Sequence, residues 1–207
     1  MINRAIENSL KTDFGRKKVI VILGPRQVGK TTLLEALGTS DKKCLMLNCD
    51  DIDDAMLIEN KTSTELKTLI SSYDLVCIDE AQRVRNIGMT LKKIGDLKLD
   101  TQVIVTGSSS FDLSNDINEP ATGRLLEYQF FPLSMSELAA NSSAREQQRL
   151  LGNRLVYGLY PEVVTLPSDA KRTLTTLVNN YLYKDILSYK GIKKPELLQK
   201  LVRALAL

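Results

Sequence analysis

Histidine is absent from the 207 residues. Every Ser-His-Asp triad, every Cys-His dyad and every histidine-ligated zinc or haem goes with it. A metal held by this chain must sit among oxygens, which favours magnesium, an ion that takes few carboxylates or hydroxyls and otherwise keeps water or substrate phosphate. Cysteine is scarce. Cys44, Cys49 and Cys77 are odd in number and form no C-x-x-C pair, which argues for buried thiols rather than a disulfide framework or a zinc knuckle. No apolar run approaches the roughly 20 residues that cross a bilayer. The opening MINRAIENSLKTDFGRKK also lacks the apolar block of a secretory signal. The expectation is a cytoplasmic protein with no membrane contact.

What is present is a globular composition: 43% hydrophobic and 26% charged residues exclude a disordered chain and a coiled coil. The net charge of +3 is unevenly spread. Basic groups outnumber acidic ones 9 to 4 over residues 1–43 and 8 to 3 over 166–207, whereas acidic groups lead 11 to 7 over 44–100. Such basic blocks can meet nucleic acid, but helices with one solvated basic face are commoner and are the favoured reading.

Lys18 to Leu23, KVIVIL, is a short β-branched run closed by Gly24-Pro25, and it reads as a buried strand meeting a turn. A helix follows over Thr31 to Leu37, with Gly38 placed as its C-terminal cap. Further strands are expected at Cys44 to Leu47, Leu75 to Ile78, Gln102 to Thr106 and Leu125 to Phe131. Between the earlier ones lie amphipathic stretches at 51–59, 64–72 and 86–95. Strand and helix alternate, so the fold class is α/β with a parallel sheet. After Pro132 the pattern turns helical, over 134–141, 144–158 and 168–190, the last with Leu174, Leu177, Val178, Tyr181, Leu182 and Ile186 on one face. Pro195 opens a further helix striped by Leu197, Leu198, Leu201, Val202 and Leu205. The closing ALAL has no glycine, basic last turn or polar exit, so a longer protein is expected to continue past Leu207.

Gly24-Pro25-Arg26-Gln27-Val28-Gly29-Lys30-Thr31 fits G-x-x-x-x-G-K-[ST] and stands after a strand and at the start of a helix, as a phosphate loop must. The glycines let backbone N–H groups turn inward, the helix N-terminus adds positive charge, Lys30 reaches the β- and γ-phosphates, and Thr31 offers its hydroxyl to magnesium. Thr32 follows in the first turn and joins the expected nucleotide contacts. About fifty residues on, Leu75-Val76-Cys77-Ile78-Asp79-Glu80 delivers two carboxylates at a strand end, the Walker B arrangement. Asp79 is expected to hold magnesium, and Glu80 to take a proton from, or orient, the water that attacks the γ-phosphate. The strand at 102–106 ends in Gly107-Ser108-Ser109-Ser110, where Ser108 either senses the γ-phosphate or caps a helix. Asp50, Asp51, Asp53 and Asp54 lack the glycine and glutamate of a calcium loop, and helix capping is the reading favoured there.

These motifs resemble those of AAA+ P-loop ATPases. More narrowly, GPRQVGKTTLL, VCIDEAQ, VTGSSS, GRLLEYQFFPLSMSEL and YPEVV are similar to a widespread prokaryotic family of poorly characterised AAA-type ATPases whose second domain has no known function. The resemblance covers residues 18 to about 188. It implies a five-stranded sheet ordered 5-1-4-3-2, ATP with magnesium as the ligands, an AAA+ ATP-binding domain over 1–165, and the helical start of a second domain over 166–207. The N-K-x-D guanine selector is missing, since Asn60-Lys61-Thr62-Ser63 lacks the Asp. Family members place a proline near the adenine, which would be Pro161. Here Gly158-Leu159-Tyr160-Pro161 departs from the family's Gly-Gly-aromatic-Pro, so a plain turn is equally open. Arg124 stands where such proteins often carry an arginine that reaches a neighbour's nucleotide, with a salt bridge as the alternative.

The functional expectation is a Mg-dependent ATPase that drives a conformational switch or acts on a macromolecule. Its partners would be ATP, further copies of the chain, and a nucleic acid or protein met through the part beyond Leu207. The alternatives are a small-molecule kinase, which needs an acceptor pocket and has no use for Glu80 aimed at water, and a nucleotide-gated binding module with little turnover.

Overall fold

The computed structural model describes residues 2–39, 42–108 and 123–179, with positions 197, 200, 201, 204 and 205. Ser109, Ser110, the helix expected to run on to 190 and the one opening at Pro195 fall largely outside the described residues. Two compact units, Met1–Gln147 and Gln148–Leu207, make up the chain.

In the first unit, five parallel strands form one sheet in the order β2-β3-β4-β1-β5. They are β1 Val19–Leu23, β2 Cys44–Asn48, β3 Leu75–Asp79, β4 Gln102–Gly107 and β5 Leu125–Gln129. This is the order implied by the family resemblance, read from the other edge. The three inner strands are buried at every position, as expected where helices cover both faces and each strand reads as a near-continuous apolar run. Both edge strands keep exposed residues. Alternation sorts the inner residues. Val19, Val21 and Leu23, with Val76, Ile78, Val103 and Val105, join Ile58, Leu66, Ile70, Leu91 and Ile94 of the crossover helices in one cluster. Those helices are α3 Ile52–Ile58, α4 Ser63–Ile70 and α5 Ile87–Asp96, and α2 Lys30–Gly38 packs on β2, β3 and β4 through Leu33, Leu34 and Leu37.

Local chemistry sets the ends. Asp51 caps α3 by accepting the Asp53 N–H, and Asp54 accepts the Asn48 N–H at 2.8 Å, so this acidic cluster does serve the backbone. Thr62 and Glu65 form a capping box on α4. Gly38 corrects its expected role. It is the last residue of α2, with Thr39 as cap, and a Cβ on it would stand 3.2 Å from Cys44 Sγ. Close approach to β2, and not a left-handed cap, is what its missing side chain permits. The three cysteines are free thiols, Cys49 and Cys77 buried and Cys44 half-buried. Burial and nearby carboxylates push the Cys49 thiol up to about 12, which keeps it a protonated core group.

Sequence patterning missed α1, Ile6–Asp13, which buries only Leu10. Its last residue, Asp13, accepts the Tyr128 hydroxyl of β5. After β5 comes α6, Met135–Ala139, with a capping box of Ser134 and Glu137. Helix α7 spans Ala144–Tyr157. In the second unit, Gly158 at φ 76 closes α7, Pro161 opens the short helix α8 Pro161–Thr165, and α8 packs on α9, Ala170–Leu177.

Candidate functional site

Parallel strands bring their C-terminal ends to one side of the sheet, and in open α/β sheets that side is where ligands bind. Leu23 pairs with Gly107 and Ile78 with Val105. Gly24 therefore leaves β1 beside the end of β4, and Asp79 ends β3 on the same rim.

Gly24 has no room for a side chain. Phe130 N donates to Leu23 O at 2.7 Å, and a Cβ on Gly24 would meet Phe130 O at 2.2 Å. The loop that follows keeps Pro25 and Arg26 half-buried, exposes Gln27 and buries Val28. Gln27 at φ 60 and Gly29 at φ 94 both take the left-handed conformation. Gly29 is the residue before α2, so the loop's turn opens directly onto the helix N-terminus.

Lys30 is 4% exposed. Its ammonium donates to Gly24 O at 2.9 Å and to Pro25 O at 2.8 Å, folding back on the carbonyls of its own loop. Burial lowers its pKa below the ordinary 10.5, while Glu80 and Asp79 pull it back up. A buried cation held by two neutral carbonyls, with two carboxylates near, is poised to exchange those carbonyls for an anion. Thr31, in the first turn of α2, donates its hydroxyl to Asp79 Oδ2 at 2.5 Å. Thr32 beside it is exposed.

Asp79 is 4% exposed and fully engaged. Its Oδ1 accepts the Thr106 hydroxyl and, at 3.1 Å, the Glu80 N–H. Glu80 itself stands in the left-handed region at φ 52, which turns its side chain off the strand line. Its Oε2 accepts from the Gln82 side-chain amide, and Gln82 Oε1 accepts the Ser108 N–H at 3.2 Å. Lys30, Thr31, Asp79, Glu80 and Ser108 are thus gathered on one rim, as their motifs lead one to expect. The hydroxyl and carboxylate oxygens of Thr31 and Asp79 are a donor set of the kind magnesium takes.

Sequence reasoning missed Thr106 and Gln82. The motif points to the serines after β4, but the hydroxyl that meets Asp79 belongs to the strand's own Thr106. Its signal was burial, because a hydroxyl on an inner strand must find a partner. Gln82 carries no motif of its own; its spacing of two from Glu80 is what lets it reach back.

One expected residue is not brought to this rim. Arg124 precedes β5 and accepts the Val19 N–H on its carbonyl at 3.1 Å, at the opposite end of β1 from the loop. Its guanidinium pairs with Asp96 at the end of α5. Pro161 is the first residue of α8 in the second unit.

The family model of an AAA domain matches residues 16–139, and one of a domain of unknown function (DUF8612) matches residues 148–207. The chain is 26% identical over 211 residues to an uncharacterized protein of Haemophilus influenzae, covering 94% of this chain and 52% of that protein. With an uncharacterized protein of Methanocaldococcus jannaschii it shares 24% over 222 residues, covering 98% and 49%. The chain therefore spans about half the length of these relatives. Among solved structures it is similar to Bacteroides Pif1 bound to ssDNA, at 18% identity and TM-score 0.44 over 77% of this chain and 47% of that one. It is also similar to Drosophila ORC bound to DNA, at 12% and 0.45 over 66% and 94%. No helix among the described residues is long and apolar enough to cross a membrane. On the match over 16–139, together with the parallel sheet and the phosphate loop, the chain belongs to the AAA domain family and has a P-loop NTPase fold.

Proposed function

We propose that the AAA unit binds Mg-ATP and hydrolyses it, and that turnover drives a conformational switch or acts on a macromolecular partner in the cytoplasm. The observation that carries this reading is the Lys30 ammonium resting on Gly24 O and Pro25 O beside the Thr31–Asp79–Thr106 hydrogen-bond chain. Phosphate oxygens would replace the two carbonyls on Lys30, and the N–H groups opening α2 would add their partial charge. Thr31 and Asp79 would hold the magnesium ion, which when bound neutralises charge on the phosphate oxygens. Glu80 would accept a proton from water, once its carboxylate is released from Gln82. The order β2-β3-β4-β1-β5 supports this reading, because it sets Thr106 between the phosphate-loop strand and the strand of Asp79 and Glu80.

ATP turnover without any acceptor separates this function from a kinase, and Glu80→Gln separates it from a binding module. Lys30→Ala should abolish ATP binding in calorimetry, since the loop loses its buried ammonium. Glu80→Gln should bind Mg-ATP as the parent does and turn it over about 10² times more slowly. Normal ATP affinity in Lys30→Ala, or undiminished turnover in Glu80→Gln, would overturn the corresponding role.

A further inference from the structure

Arg4 lies ahead of the sheet and ahead of the residues that match the AAA family model. Its side chain is nonetheless only 11% exposed. Nη1 donates to Val28 O of the phosphate loop at 2.8 Å, Nη2 to Phe131 O at 2.7 Å, and Nε to Glu137 Oε1 at 3.1 Å. The guanidinium also lies over the Phe130 ring, 4.0 Å from its centroid. Glu137 is held in turn. Its Oε1 accepts the Ala5 N–H at 2.8 Å and its Oε2 the Ser134 N–H at 2.7 Å. Burial works against the Glu137 carboxylate, but these bonds and Arg4 prevail and hold it below the usual carboxylate range.

A peptide unit is planar and trans, so a carbonyl and the N–H that follows it point in opposite directions. Fixing Val28 O on Arg4 therefore fixes the Gly29 N–H facing away from Arg4. Gly29 directly precedes α2, and its N–H is one of the inward-turning amides on which a phosphate loop depends. The loop also needs external support, because Gln27, next to Val28, stands in the left-handed region at φ 60, and a non-glycine residue keeps that conformation only where the surroundings over-determine it. A buried cation is costly unless it is fully paired. Here all the partners named are the loop, the exit of β5 and the capping box of α6.

We propose that Arg4 is a positioning residue for nucleotide binding: its guanidinium fork holds the Val28–Gly29 peptide in the orientation that presents the Gly29 N–H to phosphate, and Glu137 fixes the fork. The proposal rests on the nucleotide-binding reading above. Without the fork the loop samples other peptide orientations, and apparent affinity falls by the fraction of time the competent one is lost.

The test is calorimetric titration of ATP, with and without Mg²⁺, into the full chain and its Arg4→Ala, Arg4→Lys and Lys30→Ala variants. Thermal unfolding midpoints of the nucleotide-free proteins are measured in parallel. Arg4→Ala should weaken binding about tenfold at a temperature well below its midpoint. Arg4→Lys keeps the charge but cannot span Val28 O, Phe131 O and Glu137 at once, so it should remain several-fold weaker than the parent and serves as the measure where Arg4→Ala does not fold. A purely structural Arg4 would lower the midpoint and leave the affinity of both variants at the parent value. That result, with Lys30→Ala unable to bind, would overturn the role of Arg4 and leave the phosphate loop standing. A parent chain that binds no ATP would overturn both.

Discussion

Thr106 carries the clearest consequence at the scale of single residues. It is wholly buried, and its hydroxyl reaches Asp79, whose other oxygen meets Thr31 at 2.5 Å. The Glu80 N–H also approaches Thr106 Oγ1 at 3.4 Å. One hydroxyl thus orients both carboxylate residues at the end of β3. Thr106→Val keeps the shape of the side chain and removes that donor. The expected cost is about 1–2 kcal/mol of stability for the group left unsatisfied. Turnover at low magnesium should fall about tenfold, recovering partly as magnesium is raised, while ATP affinity without the metal stays at the parent value. A magnesium titration of turnover checks this, and an unchanged curve would show that Asp79 is oriented without Thr106. Lys30 is complementary. Its lowered pKa means that its charge, needed for an anion, is present below the folded pKa and is lost as pH rises through a value under 10.5.

At the scale of elements, the close passage of β1 past the exit of β5 decides where the phosphate loop begins. Gly24→Ala would place a methyl group 2.2 Å from Phe130 O, a backbone atom that cannot swing aside. The strand exits must then separate, and a loss of about 2–3 kcal/mol is expected together with weakened ATP binding. Chemical denaturation and calorimetry on the same sample test both halves, and parent-like stability would mean that the exits part at little cost. The inner strands were legible in the sequence because parallel strands covered on both faces carry near-continuous apolar runs, and the four helices α2 to α5 because their apolar residues recur every three or four positions. Helix α1 was not legible, since a helix that buries only Leu10 has no stripe to read. Arg4 was not legible for another reason. Its partners Val28, Phe131 and Glu137 are joined to it only by the folded sheet, and two of them offer main-chain carbonyls that carry no side-chain signature.

At the scale of the whole molecule, the question is whether one chain completes its own site. Arg124 is the residue on which this turns. It directly precedes β5, and β5 runs parallel to β1 with Leu125 beside Val19 and Gln129 beside Leu23. Arg124 therefore stands a full strand, about 17 Å at 3.3 Å per residue, from the end where Gly24 opens the loop. Its guanidinium is paired with Asp96, and a Cβ on Gly95 would stand 2.8 Å from its own Cβ. Of the two readings the sequence left open, this geometry supports the salt bridge; a finger role would require a second copy of the chain. Exposed pairs of this kind contribute about 0–1 kcal/mol. Arg124→Ala and Asp96→Ala should then show the same small loss of stability, and turnover per chain should be independent of protein concentration. A trans-acting arginine gives the opposite result. Turnover per chain would rise with concentration, Arg124→Ala would lose about 10³-fold in turnover while still binding ATP, and mixing it with Lys30→Ala would restore activity, because the loop of one chain would meet the arginine of the other. Measuring the two variants singly and mixed, across a wide range of protein concentration, decides between a site complete within one chain and a site shared by two.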